Sequence, residues 1–201
     1  PIYVDSPLAR RATDIYRRHR EVFDDEAWKL IGEPGGIFDY PQLHYTGSAD
    51  ESRALNEKKG VVIISASGMA DAGRIRHHLK HNLWRPEAHV IIVGYQAQGS
   101  LGRRLLDGAD TVRLFGEEIA VRAHIHDITG LSAHADQGQL LTWASHFKAP
   151  RLVILTHGEP EAAMTLRQLL EERLGFTVAV ANMNEVFDLA RAPRTKAALG
   201  R

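Results

Sequence analysis

Two short stretches carry most of the reactive side chains: Gly130-Leu-Ser-Ala-His134-Ala-Asp136 and Leu155-Thr-His157-Gly-Glu159. Each follows an apolar run with the look of a strand, and each places a histidine just past its end. A helix-length segment, 137–147, separates them. A strand, a crossover helix and a second parallel strand put both strand ends on one edge of a sheet, the edge where open α/β sheets bind ligands. The predicted result is one rim where two histidines, two hydroxyls and two carboxylates converge. Metal-assisted chemistry is the first expectation for such a set, with phosphate binding beside it.

Asp136 is placed to cap the helix that follows it. Ser132 and His134 would then stand at that helix's positive end, where a phosphate is favoured and an imidazole can protonate a leaving oxygen. A capped helix with a satisfied polar histidine accounts for the same residues. His157 follows the apolar Leu152-Val-Ile-Leu155, and neutral imidazole is the commonest metal ligand. Glu159 could orient that ring or cap the next helix. A catalytic zinc wants about three protein ligands, and the chain contains neither H-x-H-x-D-H nor H-E-x-x-H. His124-Ile-His126 puts two more histidines on one strand face, and a half-exposed strand explains them.

Two further loops sit at predicted strand ends. Ser65-Ala-Ser67-Gly68-Met69 follows Val61-Val-Ile-Ile64, and its small residues let backbone N–H groups approach a phosphate. Gly94-Tyr-Gln-Ala-Gln98-Gly-Ser100 follows the apolar run 89–93 and has no Gly-Lys-Ser/Thr, so it is no Walker A loop. Arg74, Arg76, His77, His78, Lys80, His81 and Arg85 form a basic helix beside this rim. A solvated face is the ordinary reading of such a run, and contact with a polyanion is the functional one.

The elements that must position these residues alternate. A strand at 1–4 and a helix at 8–19 lead into a mixed-charge helical stretch to 31 and a turn at 32–36. A short strand at 43–46 and a helix at 48–58 follow, the latter opened by Ser48 and Glu51 in capping-box spacing. Strands at 61–64 and 89–93 read as buried on both faces, with helices at 74–83 and 100–106. This is the pattern of an α/β, parallel-sheet (Rossmann-like) fold. Three strands in 111–128 joined by tight turns mark a change of character near Gly116. Helices at 137–147 and 160–173 then alternate with strands at 151–156, 176–181 and 185–189, and a basic tail from 190 is expected to be disordered.

Composition narrows the classes. Basic and acidic residues number 25 each, so nucleic-acid binding has no global electrostatic case. Cysteine is absent, which excludes disulfides and thiolate metal sites. No apolar run approaches ~20 residues and no signal peptide opens the chain, so a cytoplasmic protein without a membrane segment is expected. A strand at residue 1 predicts that the sequence is the C-terminal part of something longer.

Together with Val4-Asp-Ser-Pro-Leu8, the four motifs resemble the bacterial and archaeal β-CASP branch of the metallo-β-lactamase fold, a family of RNA-processing nucleases. The resemblance runs from Pro1 to Leu189. It implies a β-CASP portion over 1–116, the C-terminal α/β portion of a metallo-β-lactamase domain over 117–189, and a tail at 190–201. It implies that His134 is the motif that contacts the scissile phosphate and assists as an acid, that Ser132 contacts phosphate, and that His157 is a ligand of one zinc. A histidine at that last motif is the version associated with RNA. The loops carrying Ser67, Gly68, Arg74, Gln98 and Ser100 match segments that line the substrate cleft. The family's H-x-H-x-D-H motif and most of its zinc ligands have no counterpart in this sequence.

The activity implied is phosphodiester hydrolysis in RNA by two zinc ions whose bridging hydroxide attacks phosphorus in line. Single-stranded RNA, an absent N-terminal metallo-β-lactamase portion and a homodimeric partner are the implied associates, and the 201 residues alone are expected to be inactive. A non-catalytic RNA-binding paralogue or subunit with a degenerate metal site is the alternative. A small-molecule phosphate-binding domain is a third.

Overall fold

The computed structural model describes residues 1–31, 38, 40–132 and 134–191. They divide into two compact units, one ending at Ser132 and one taking in the described residues from His134 onward. Among the described residues no helix is long and apolar enough to cross a membrane.

The first unit begins with β1 (Ile2–Asp5), which turns through Ser6 into α1 (Pro7–Arg18). Ser6 Oγ accepts the Ala9 N–H at 3.2 Å and Pro7 stands at the first helical position, where its missing N–H costs nothing. A 3₁₀ turn (Arg20–Val22) and α2 (Asp25–Ile31) follow. The predicted turn at 32–36 lies outside the described residues. Next come β2 (Leu43–Tyr45), α3 (Ala49–Ala54) with a 3₁₀ turn (Leu55–Glu57), and β3 (Val62–Ser65). The capping box expected at Ser48 is displaced: Ser48 Oγ caps Glu51 N–H, while the Glu51 carboxylate accepts from Gly47 N–H at 2.7 Å.

β1 is the centre of a parallel three-stranded sheet ordered β2-β1-β3, with Ile2 opposite both Leu43 and Val62. α4 (Ile75–Asn82) leads to β4 (His89–Ile92), and α5 (Leu101–Leu106) leads to the β5 (Thr111–Leu114)–β6 (Glu117–Ala120) hairpin. That hairpin turns on Phe115 and Gly116, both at positive φ, the geometry that matches strand twist in a two-residue loop. The core of this unit is Leu79, Leu83, Leu101, Leu105, Val112 and Leu114, with Val90 and Ile125 packed on it.

Several expectations are corrected. β3 and β4 are not buried on both faces: Val62, Ile64 and Ile91 are 52%, 51% and 54% exposed, and of the two strands only β4 packs on the core, through Val90. β7 (His124–Asp127) does not continue the hairpin. It pairs parallel with β4, His89 opposite His124, and its Ile125 enters the first core.

The second unit contains α6 (Gln137–Ser145), β8 (Val153–Leu155), α7 (Pro160–Leu174) and β9 (Val178–Val180). β8 and β9 pair parallel over a core of Ala144, Leu170, Phe176 and Val178. Among the described residues β7 pairs with β4 and β8 with β9, so the expected β7–α6–β8 crossover does not join paired strands. No strand forms at 185–189. Asn184 takes φ 63° in a turn closed by Glu185 on the Asn182 N–H, which leaves Val186 91% exposed with nothing to pair against. Of the predicted tail, 192–201 lie outside the described residues.

Candidate functional site

The loops after β3 and β4 form one rim. Gln96, buried in the second loop, donates Nε2 to the Gly68 carbonyl of the first at 2.8 Å. The Gly102 N–H donates to the Met69 carbonyl at 3.1 Å, and the Leu101 N–H donates to Asp71 Oδ1 at 2.9 Å. β3 and β4 lie in separate sheets, so it is these bonds that bring the two loops together.

Two glycines make the closeness feasible. A Cβ on Gly73 (φ +78°) would stand 2.4 Å from the Ala66 carbonyl oxygen. A Cβ on Gly102 would stand 1.7 Å from Gln96 Oε1. Gly102→Ala is therefore expected to expel the Gln96 amide, which also holds the Gly94 and Tyr95 carbonyls. The cost should be about 1–3 kcal/mol, read as a lower unfolding midpoint. In a Gln96→Ser background the same substitution should cost far less; equal cost in both backgrounds would show that the Gln96 contact is not the cause.

Within this rim the Ser67 hydroxyl is engaged by the Ala72 backbone, donating to its carbonyl and accepting from its N–H at 3.3 Å each. Among the described residues nothing beyond its chain neighbours comes within 4 Å of where a Cβ on Gly68 would stand, although its carbonyl is held by Gln96. Ser100 is buried and caps α5, its Oγ accepting the Arg103 N–H at 3.2 Å. Gln98 is exposed.

Arg74 leads to a feature the sequence did not announce. Its Nη1 donates to Asp5 Oδ1 at 2.6 Å and to Thr46 Oγ1 at 3.2 Å. Asp5, at the end of β1, is fully buried. Its Oδ1 also accepts from the Thr46 hydroxyl, and its Oδ2 accepts from Ser52 Oγ and His78 Nε2, both at 2.6 Å. Burial alone would raise its pKa, but the bonds from Ser52, Thr46, His78 and Arg74 overcome that and hold it at about 2. His78 Nδ1 in turn meets Asn56 Oδ1 at 2.8 Å. The partners come from residues 46, 52, 74 and 78, so no local motif reveals them.

The basic helix beside the rim is largely spent on the fold. His78 is buried, Lys80 pairs with Glu117 at 2.6 Å, and Arg85 donates to the Asn56 carbonyl and to Asn82. Arg76 lies over Phe115 and His77 stacks on the same ring. Desolvation, then the cationic neighbours His78, His81, Arg76 and Lys80, lower the pKa of His77.

In the second unit Asp136 caps α6 as predicted, within a full capping box: its carboxylate accepts the Gln139 N–H at 2.8 Å, and Gln139 Oε1 accepts the Asp136 N–H at 2.9 Å. His134 stands two residues before it, exposed, as is Ser132 at the end of the first unit. His157 is exposed just past β8 and takes φ 63°. Non-glycine residues are uncommon in this left-handed region, and histidine is among those enriched there. Pro160 opens α7 behind Glu159, which stands at the cap position without a side-chain capping bond. His124 and His126 are exposed on β7, where His126 meets His89 at 2.8 Å. Among the described residues no three His, Asp or Glu side chains come together in a group that could hold a metal ion.

Comparison with known proteins gives two family matches. A model described as Beta-Casp domain matches residues 1–105, and one described as Zn-dependent metallo-hydrolase RNA specificity domain matches residues 118–181. The chain is similar to Ribonuclease TTHA0252 of Thermus thermophilus, 39% identical over 186 residues, which are 92% of this chain and 42% of that protein. It is similar to Transcription termination factor FttA of Pyrococcus abyssi, 28% identical over 190 residues, covering 90% of this chain and 29% of that one. An RNase J-like protein of Methanocaldococcus jannaschii is 32% identical over 159 residues, 79% of this chain and 36% of its own. The chain thus spans less than half the length of these relatives.

Proposed function

The chain belongs to the β-CASP family of RNA nucleases, and from that premise we propose that it is the C-terminal portion of a zinc-dependent ribonuclease that hydrolyses phosphodiester bonds in single-stranded RNA. The observation that carries this reading is His157: an exposed imidazole on a left-handed backbone at a strand end, inside the segment matched by the Zn-dependent metallo-hydrolase model. Backbone conformations of this kind cluster at functional sites.

The described residues do not complete a zinc site by themselves. His157 would supply one ligand to a centre of about two ions, and the remaining ligands would come from an N-terminal metallo-β-lactamase portion. The division proposed is a β-CASP part over 1–116 and a metallo-β-lactamase part over 117–189. The 201 residues alone bind without cutting, and the complete protein works in the cytoplasm as a homodimer.

The chain's own residues have separate tasks. Ser132 hydrogen-bonds the scissile phosphate, and His134 donates a proton to the leaving oxygen. The rim contributes the Gly68 N–H, the Ser67 hydroxyl and the Gln98 amide to backbone phosphates of the same RNA strand. Ser100 holds the start of α5 beside them. Arg74 has Nη1 committed to Asp5, so its phosphate contact is made through Nη2 and Nε.

The test uses the complete polypeptide. Wild-type protein should carry zinc and cut single-stranded RNA, and His157→Ala should lose zinc and activity together. Normal zinc content and cleavage in that variant would overturn the assignment. An upstream segment in which H-x-H-x-D-H is altered, with RNA binding but no zinc, would favour the non-catalytic subunit instead.

A further inference from the structure

We propose that the outer face of α1 is a second RNA contact, an arginine track for backbone phosphates separate from the rim loops; it rests on RNA being the ligand. Between Leu8 and Arg20 stand five arginines and one aspartate, in a chain whose formal net charge is zero. Successive helical residues are about 100° apart. Arg10 and Arg17 therefore form one row along the helix and Arg11 and Arg18 a second beside it, with about 10.5 Å between the members of each row.

Not all of these cations are available. Arg17 is anchored, with Nη2 donating to the Phe38 carbonyl at 2.6 Å and Nη1 3.6 Å from Asp14. Arg10, Arg11 and Arg18 are exposed, and none has a carboxylate within 4 Å among the described residues. Arg18 makes one bond, from Nε to the Asp14 carbonyl. The helix has no buried residue, and Arg17 and Arg18 stand in its last turn, where the helix dipole favours cations; Arg10 and Arg11, near its start, gain nothing from that dipole.

The contrast with α4 gives the inference its weight. In and around α4, Arg74, His78, Lys80 and Arg85 are bound to Asp5, Asn56, Asn82 and Glu117; on α1 Arg11 and Arg18 face outward, and Arg10 is exposed although its Nη1 shares a corner with the Glu51 carboxylate, each 3.8 Å from where a Cβ on Gly47 would stand. A guanidinium fork matches phosphate oxygens in pairs. Among polyanions, RNA is favoured over an acidic protein because residues 118–181 match an RNA specificity domain.

The test is binding of a fluorescent single-stranded oligouridylate to the 201-residue chain across a salt series. Each phosphate neutralised on a single strand contributes about 0.7 to the slope of log affinity against log salt. The triple variant Arg10→Gln, Arg11→Gln, Arg18→Gln should lower that slope by about 2 and weaken binding by about tenfold or more near 0.1 M salt. Glutamine forms helix as readily as arginine, so circular dichroism should be unchanged. Arg113→Gln, at an exposed position of β5, should leave the slope alone. RNA binding with an unmoved slope in the triple variant overturns the α1 assignment only. No RNA binding by the wild-type chain overturns the RNA reading with it, and arginine-dependent binding of polyglutamate but not RNA would identify an acidic protein partner instead.

Discussion

Asp5→Ala is expected to destabilise the first unit by about 3–5 kcal/mol, the range for removing one partner of a buried charge pair. The carboxylate accepts four bonds with no exposed surface. Its removal leaves the buried His78 ring and the Ser52 and Thr46 hydroxyls without their acceptor, and leaves Arg74, 23% exposed, without its counter-charge. Typical domains are stable by only about 5–15 kcal/mol, so a large part of the reserve would go. Hydrogen exchange of β1 and β3 amides reads the loss locally, which matters in a chain of two units. A loss below about 1 kcal/mol would mean that Arg74 and His78 find other partners and that Asp5 is not the hub.

The same carboxylate predicts a pH dependence. Its folded pKa of about 2 lies below the ordinary 3.8. The stabilisation, about 2 kcal/mol by linkage, is present above pH 3.8 and is lost as pH falls through about 2. Asp5→Asn should remove this part of the acid transition. An acid limb identical to that of the wild type would place the responsible carboxylate elsewhere.

His134→Ala in the complete nuclease is expected to slow RNA cleavage by about 10²–10⁴-fold, the usual contribution of a general acid, while RNA affinity changes little. Two further readouts separate proton donation from a capping role. The variant should lose the alkaline limb of the pH–rate profile, because an acid must be protonated to act. A substrate with sulfur in place of the leaving oxygen, which departs without a proton, should be cut nearly as fast by the variant as by wild type. Undiminished cleavage of ordinary RNA would assign His134 to the chain entry of α6, where Asp136 and Gln139 already satisfy the exposed N–H groups.

Local chemistry was legible in the sequence and long-range pairing was not. Ser48 and Asp136 announced helix starts because a cap involves atoms within four residues of one another. The run Val61-Val-Ile-Ile64 announced a strand, yet its burial depended on what packs against each face, and Val62 and Ile64 are left exposed. β7 follows the hairpin in sequence but hydrogen-bonds to β4, more than thirty residues earlier. For the site, the loops of Ser67 and Gln98 were found by position at strand ends, and the structure fastens them together. Asp5 was missed because its partners lie from 41 to 73 residues away.

The fastening of the rim loops has a mechanical meaning. Gln96 to Gly68, Gly102 to Met69 and Leu101 to Asp71 are three ties between segments that would otherwise fluctuate separately. Neither lip can swing out without carrying or tearing the other, so the rim behaves as a hinge plate and not as two independent flaps. A bulky nucleotide pressing on residues 66–73 would be felt at 94–100. Amide protection in both segments should then vanish in one cooperative opening.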